Sequence, residues 1–170
     1  GHHAVAVLDG GRQAWAAAGL PLEAGEVSPR DEGNFALAEP LVGEPVTANT
    51  VLTNVSVGTL QVIDARDAQR FAGAPHPLDT ASGHIPGATN RFFRDNLDEM
   101  GRMRPAQELA EEFQTALAGK AASDAVLQCG SGVTACHNAL AMEIAGLTGA
   151  RLYPGSWSEW TSDPLRPIER

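Results

Sequence analysis

The stretch AVLQCGSGVTACHNALAMEIA, residues 125–145, has the pattern of a strand, a tight loop and a helix in immediate succession. The apolar run Ala125–Gln128 is short and predicts a buried strand. Residues 129–134 contain two glycines and predict a loop, and the alanine-rich run 135–145 predicts a helix. A strand that turns directly into a helix is typical of an α/β protein with a parallel sheet.

The rest of the chain repeats this alternation of short apolar runs and helical segments. Further strands are predicted at residues 4–8, 61–64 and 152–153, and further helices at 12–18, 47–55, 67–71 and 106–117. In the last of these helices, Leu109, Phe113 and Leu117 recur every four residues, which predicts one buried face. We therefore expect an α/β domain whose mainly parallel sheet is flanked by helices.

The composition disfavours two broad classes of protein. The 170 residues carry a net charge of −9, which disfavours a nucleic-acid binder because phosphate neutralisation needs a basic surface. No apolar run approaches the ~18 residues of a membrane span, so no membrane partner is expected. The two cysteines are too few for a disulfide framework, which favours a reducing, cytoplasmic compartment.

An internal sequence repeat indicates two copies of one kind of domain. The segments LDGGRQAW (8–15) and LYPGSWSEW (152–160) both place a leucine three residues before a glycine, with a tryptophan following. We predict that residues 1–19 are the end of a first domain, of which ~100 residues lie upstream. Residues 20–45, with scattered prolines and acidic residues, predict an extended linker. Residues 46–170 are predicted to form the second domain.

Cys129 stands where the predicted strand ends and the loop begins. We expect Gly130 and Gly132 to adopt positive φ angles, so that successive amide N–H groups curl inward ahead of the helix N-terminus. Such an arrangement stabilises an anion, and the nearest anion is the thiolate of Cys129 itself. A nucleophilic cysteine and a buried structural cysteine are both compatible with the loop alone.

The second cysteine is predicted to be structural. Cys136 shares a helical face with Leu140 and Ile144, which predicts a place in the core. Neither cysteine belongs to a C-x-x-C pair, and His137 lies beside Cys136 in sequence without a second ligand pair. No metal and no cofactor are therefore expected.

Several other polar or aromatic residues are expected to support the loop. Asp64 and Arg66 are predicted to form a structural network beneath it, and His84 to hold the turn before the next strand. Trp157 is predicted to line a pocket or to pack on the preceding helix. All of these residues lie at predicted strand ends or turns, where side chains fix the path of the backbone.

Two kinds of chemistry use a cysteine in a loop of amides. Phosphate-ester hydrolysis places an arginine six residues after the cysteine to clamp the phosphoryl oxygens, and here that position is Ala135. Sulfur transfer instead needs a thiolate that takes up one sulfur atom as a persulfide. Since both resting forms are anionic, the same amides stabilise each of them. The uncharged loop therefore favours sulfur transfer.

At this point a set of motifs resembles the two-domain rhodanese family of sulfurtransferases. The motifs are CGSGVTAC (129–136), SGHIPGATN (82–90), VIDAR (62–66), YPGSWSEW (153–160) and, at the front, LDGG-x-x-AW (8–15). The resemblance implies a rhodanese-like three-layer domain with a five-stranded parallel sheet flanked by helices. It also implies an enzyme that moves sulfur from 3-mercaptopyruvate or thiosulfate to cyanide or a thiol acceptor such as thioredoxin.

The resemblance also implies the site residues. Cys129 is implied as the persulfide-forming nucleophile and Arg70 as the residue that holds the donor's carboxylate or sulfonate. The substrate-binding cradle is implied to comprise Gly130, Ser131, Gly132, Val133 and Thr134, with Ser131 as an added hydrogen-bond donor. The uncharged loop is similar to that of members preferring 3-mercaptopyruvate. Residues 74–79 lack the second arginine that many such members carry, so thiosulfate stays open.

The resemblance implies an active site that lies between two domains. The missing upstream copy is therefore the expected partner that completes the wall of this active site. Two alternatives stand beside the enzyme reading. A non-catalytic rhodanese-like binding or regulatory module is disfavoured by the presence of Cys129. A phosphatase-like relative is disfavoured by Ala135.

Overall fold

The computed structural model describes residues 4–26, 29, 31–36, 39 and 43–170, so the predicted linker at 20–45 lies partly outside the described residues. The helices are α1 (Gly11–Ala17), α2 (Ala48–Val57), α3 (Ala68–Phe71), α4 (Ala106–Ala116), α5 (Val133–Ile144) and α6 (Ser156–Trp160). The strands are β1 (Gln61–Asp64), β2 (Thr89–Asn90), β3 (Ala125–Gln128) and β4 (Arg151–Leu152). Short 3₁₀ helices cover Phe93–Asn96 and Ala122–Asp124. Among the described helices, none combines the length and the apolar character needed to cross a membrane.

The strands form one parallel sheet in the order β2-β1-β3-β4. The central pair is in register from Gln61 opposite Ala125 to Asp64 opposite Gln128. β1 and β3 therefore end side by side, and the loops that follow them leave from the same edge of the sheet. In parallel α/β sheets, this carboxyl edge is where ligands bind.

The five-stranded sheet implied by the family resemblance is wrong for the described residues, which form four strands. The segment at Val46 runs beside β4, and its N–H donates to the carbonyl of Leu152 at 2.8 Å. The residue before it, Pro45, has no N–H with which to extend a ladder. One hydrogen bond does not make a strand, and the sheet therefore stops at β4.

The predicted strand at residues 4–8 is also wrong, because these residues have no regular structure. Val5 and Val7 are 74% and 68% exposed, so the apolar run has no neighbouring strand to cover it within the described residues. The predicted helix at 12–18 is confirmed as α1, although none of its residues is buried. The Asp9 carboxylate accepts a hydrogen bond from the Met103 N–H at 2.9 Å, which ties this segment to the main domain.

Two hydrophobic clusters cover the two faces of the sheet and give the predicted three layers. One lies beneath α4 and α5, and the predicted face of Leu109, Phe113 and Leu117 is confirmed as part of it. The other lies beneath α2 and α6. Neighbouring residues of β1 belong to opposite clusters, Val62 to the second and Ile63 to the first, as the alternation of a strand requires.

The predicted core position of Cys136 is wrong, because this cysteine is exposed. Helix α5 buries Ala135, Asn138, Ala141 and Met142 instead. The face that carries Cys136 points away from the sheet, and Ile144 on the same face is 39% exposed. The Cys136 thiol contacts the carbonyl of Gly132 at 3.4 Å.

We expect the α4 side of the core to carry much of the stability. Replacing the fully buried Leu109 by alanine should lower the free energy of unfolding by about 2–5 kcal/mol, because it removes apolar contacts and leaves a cavity. The same substitution at Leu165, which is 90% exposed, should change it by less than about 0.5 kcal/mol. Urea denaturation of both variants measures the difference, and equal losses would contradict the assignment of this core.

Candidate active site

Cys129 directly follows β3 at the carboxyl edge of the sheet and is only 2% exposed. Its backbone is fixed by the start of α6. The Cys129 N–H donates to the Ser156 hydroxyl oxygen at 3.1 Å, and its carbonyl accepts from the Trp157 N–H at 3.0 Å. The position of the cysteine therefore depends on a helix that lies 27 residues further along the chain.

The loop after Cys129 is shorter than predicted, because α5 begins at Val133 with Gly132 as its N-terminal cap residue. The predicted positive φ is confirmed at Gly132, which has a φ of 83°, and is wrong at Gly130, which lies outside the left-handed region. The described residues provide no hydrogen-bond acceptor for the amide N–H groups of residues 130–134. Together with the N-terminal dipole of the 12-residue helix, these free donors favour an anion beside the loop.

Each glycine of the loop meets a different steric demand. A Cβ atom at Gly132 would lie 2.5 Å from the carbonyl oxygen of Pro154, a contact that real side chains do not make. A Cβ atom at Gly130 would lie 3.3 Å from Nη2 of Arg70. Gly132 therefore permits the turn against the chain that leads into α6, and Gly130 lets the Arg70 guanidinium approach the loop.

A cavity of about 360 Å³ opens beside the cysteine. It is lined by most of the predicted site residues, namely Arg70, Cys129, Gly130, Ser131, Val133 and Thr134, and by two that were not predicted, Leu78 and Ser158. Gly132 does not line this cavity, although it shapes the loop. The volume suits a small molecule. Two larger grooves, of about 970 and 770 Å³, do not include the cysteine in their walls.

Ser158 reaches the site from α6. Its hydroxyl donates to the Gly130 carbonyl at 2.7 Å, and its backbone N–H donates to the same oxygen at 2.9 Å. These two bonds hold the loop against α6. The YPGSWSEW motif contains Ser158, but the sequence analysis assigned a role to Trp157 and none to this serine.

Arg70 lies in α3, where its own backbone N–H is bound by the Asp67 carboxylate at 2.9 Å. Its side chain forms a two-bond ion pair with Asp79, with Nε to Oδ2 at 2.8 Å and Nη2 to Oδ1 at 2.6 Å. The hydrogen bond to Asp79 raises the pKa of Arg70. Burial works to raise the pKa of Asp79, but the hydrogen bond and charge of Arg70 outweigh it and lower that pKa. Sequence reasoning missed Asp79.

The predicted structural network of Asp64 and Arg66 is confirmed. The Arg66 Nη2 donates to the Asp64 carboxylate at 2.8 Å and to the Gly83 carbonyl at 2.8 Å. Both side chains are almost fully buried. The Arg66 guanidinium lies over the Trp157 ring at 4.5 Å. Trp157 is therefore packed beneath this network and is not part of the cavity wall.

His84 holds its turn as predicted. Its Nδ1 donates to the Phe71 carbonyl at 2.8 Å, and its ring stacks on the Phe71 ring with 3.8 Å between centroids. Its backbone pairs with Glu169 in both directions. These contacts fix the end of α3, on which Arg70 is carried.

Known proteins share sequence and fold with this chain. A family model described as Rhodanese-like domain matches residues 47–163. The chain is 45% identical over 164 residues to a Pseudomonas aeruginosa protein named probable 3-mercaptopyruvate sulfurtransferase. It is 35% identical over 160 residues to the thiosulfate sulfurtransferase of Gallus gallus. The solved structure of the Tum1 protein of Saccharomyces cerevisiae matches with a TM-score of 0.75 and 28% identity, over 94% of this chain and 59% of that one.

The chain spans about half the length of the curated relatives it matches. The alignment covers 96% of the chain but 57% of the Pseudomonas protein, and 94% of the chain but 54% of the Gallus protein. The activities for which those whole proteins are named are therefore hypotheses for this chain.

We expect Gly132 to tolerate alanine much less well than another glycine of similar backbone geometry. Gly58 has a φ of 71°, and a Cβ there would meet nothing within 4 Å, so Gly58→Ala isolates the backbone cost of about 1–2 kcal/mol. Gly132→Ala adds the clash with Pro154 and should lower the free energy of unfolding by more, while changing the alkylation rate of Cys129. Denaturation and iodoacetamide labelling measure both effects. Equal unfolding losses at the two glycines would refute the steric explanation.

Proposed function

We propose that this chain, which belongs to the family of rhodanese-like domains, is the catalytic part of a sulfurtransferase in which Cys129 carries the transferred sulfur. One observation supports this above the others. A buried cysteine at the carboxyl edge of the sheet begins a loop whose amide N–H groups find no acceptor among the described residues. Such a loop stabilises a sulfur anion without any positively charged side chain of its own.

The proposed reaction has two sulfur-transfer steps. In the first, the Cys129 thiolate attacks the sulfur atom of the donor, forming an S–S bond while the donor's own bond to sulfur breaks. With 3-mercaptopyruvate the electron pair passes to carbon, which then takes up a proton to give pyruvate. With thiosulfate the pair leaves on sulfite. In the second step, a thiol or cyanide attacks the outer sulfur of the persulfide, and the Cys129 thiolate is released unchanged.

The loop residues supply the stabilisation in this scheme. The thiolate and the persulfide are both anions, so the amides of residues 130–134 favour each resting form and need no rearrangement between the steps. Ser131 lines the same cavity and provides a further hydrogen-bond donor. Arg70 lines the same cavity and binds the anionic group of the donor through its guanidinium.

The donor class follows from the relatives as a hypothesis. Curated relatives are named for 3-mercaptopyruvate and for thiosulfate, so both molecules are candidate donors. Cyanide, a small thiol or thioredoxin are candidate acceptors, and a cytoplasmic location fits the two unpaired cysteines.

We further propose that an upstream domain completes this protein. Residues 1–19 would then be the end of that domain, 20–45 the linker and 46–170 the catalytic domain, which agrees with a family match that starts at residue 47. The groove of about 770 Å³ has residues 5–11 along one wall, and Leu97, His137, Leu140 and Ile144 are among those on the other. Its exposed apolar walls suit burial against preceding residues of the polypeptide.

The central test is mass spectrometry of the intact protein after incubation with 3-mercaptopyruvate or with thiosulfate. We expect a gain equal to one sulfur atom, and its removal by cyanide, because a persulfide is attacked at its outer sulfur. Cys129→Ser should abolish the gain. Cys136→Ser is the matched control and should retain it, since Cys136 is exposed and does not line the cavity.

The polypeptide extended upstream to the length of its relatives should be assayed in parallel. Absence of any sulfur gain from both donors in that longer protein would rule out the proposed function and favour a non-catalytic module. A gain that persists in Cys129→Ser would rule out the proposed carrier.

A further inference from the structure

Asp79 leaves half of the Arg70 guanidinium free. A guanidinium has two forks of paired N–H groups, one formed by Nε with an Nη and the other by the two Nη atoms. Asp79 binds the first fork through Nε at 2.8 Å and Nη2 at 2.6 Å. Within the described residues, no acceptor is bound to Nη1 of Arg70. The second fork therefore remains available to a planar, two-oxygen group such as a carboxylate.

The free fork lies at the cysteine cavity. Nη2, which belongs to both forks, is 3.3 Å from where a Cβ of Gly130 would be. Arg70 and Cys129 both line the same cavity, and the Arg70 side chain is 15% exposed. A carboxylate bound to this fork would therefore sit against the loop that begins with the cysteine.

Asp79 is itself fixed from the sheet. Its Oδ2 lies 3.5 Å from Nη1 of Arg66, and Arg66 is in turn held by Asp64 at the end of β1. The resulting charged row (Asp64, Arg66, Asp79 and Arg70) runs from a buried strand end to the cavity. The Asp79 side chain is only 5% exposed, so little solvent screens its interaction with Arg70.

The aspartates of the same row offset the positive charge that Arg70 brings to the cavity wall. The two arginines of the row are accompanied by its two aspartates and by Asp67, which lies at the start of α3 beside Arg70. The residues that line the cavity include no other cation. A sulfur donor with two negative charges would thus find hydrogen-bond donors in the cavity but no net positive charge.

We infer that Asp79 is a specificity-determining positioning residue, which holds the free fork of Arg70 toward the cysteine and cancels its charge. The cavity then selects a donor by the geometry of one carboxylate rather than by total negative charge, which favours the 3-mercaptopyruvate class over thiosulfate. This inference rests on the proposed sulfurtransferase function, and it concerns the choice of donor rather than the transfer itself.

The first test compares kcat/KM for the two donors in Asp79→Asn. Removing the charge but not the volume should raise the ratio of thiosulfate to 3-mercaptopyruvate by about tenfold, mainly through a lower KM for thiosulfate. The gain should fall at high ionic strength, because it is coulombic. Asp79→Glu restores the charge and should return the ratio toward that of the unmodified protein. Asp163→Asn, which removes an aspartate paired with Arg166 on an exposed segment, is the matched control and should leave it unchanged.

A second variant keeps the test informative if Asp79→Asn fails to fold. Val133 lines the cavity and is 73% exposed, so Val133→Lys adds a positive charge at the rim without disturbing the buried row. It should shift the donor ratio in the same direction as Asp79→Asn. A shift toward 3-mercaptopyruvate in Val133→Lys would overturn the inference.

The cysteine can also be probed without any sulfur transfer. In a Cys136→Ser background, the Cys129 thiolate displaces iodide from iodoacetate, which is an anion, or from iodoacetamide, which is neutral. Asp79→Asn should raise the ratio of the two alkylation rates in favour of iodoacetate by several-fold, and Asp163→Asn should not. If neither donor yields a persulfide, the proposed function fails, while this ratio still decides the effect of Asp79.

Two results would overturn the inference itself. One is a donor ratio and an alkylation ratio in Asp79→Asn that match those of Asp163→Asn. The other is an Asp79→Glu variant that reproduces the change instead of reversing it, because the shape of the side chain and not its charge would then be responsible.

Discussion

The parallel pairing of β1 with β3 is the constraint on which the rest of the site depends. Because Asp64 lies opposite Gln128, the residues that follow the two strands leave the sheet together. The carbonyl of Gln128 accepts a hydrogen bond from the Ala65 N–H at 2.8 Å, which continues the pairing one step beyond the strands. A slip of one residue in β3 would turn its side chains to the opposite face and separate Cys129 from the charged row.

The charged row illustrates how a buried charge is tolerated. An isolated arginine in this position would carry a large desolvation penalty, and a pair offsets that penalty only when its hydrogen bonds are complete. Arg66 achieves this with the Asp64 carboxylate, the Gly83 carbonyl and the Trp157 ring. Asp79 connects that anchored arginine to Arg70 near the surface. The row therefore links the rigid end of β1 to Arg70 and fixes the direction of the Arg70 side chain at the cavity.

The sequence predicted the elements better than it predicted their contacts. The bounds of β1 and β3 were predicted because short apolar runs stand between polar residues. The spacing around Cys136 indicated a shared helical face, but spacing cannot tell which face a helix buries, and α5 buries the one with Ala141. Asp79 was missed because its loop has no periodic pattern, and its contact with Arg70 depends on the folded path of that loop. The position of Ser158 depends likewise on how α6 meets β3.

The cysteine loop is held by residues that follow position 45. Cys129 is held by Ser156 and Trp157, Gly132 by its approach to Pro154, and both hydrophobic clusters are drawn from residues 46–160. Residues 4–17, in contrast, contain exposed valines and a helix with no buried side chain. The contacts that shape the loop and leave its amides free therefore come from the same domain as the cysteine.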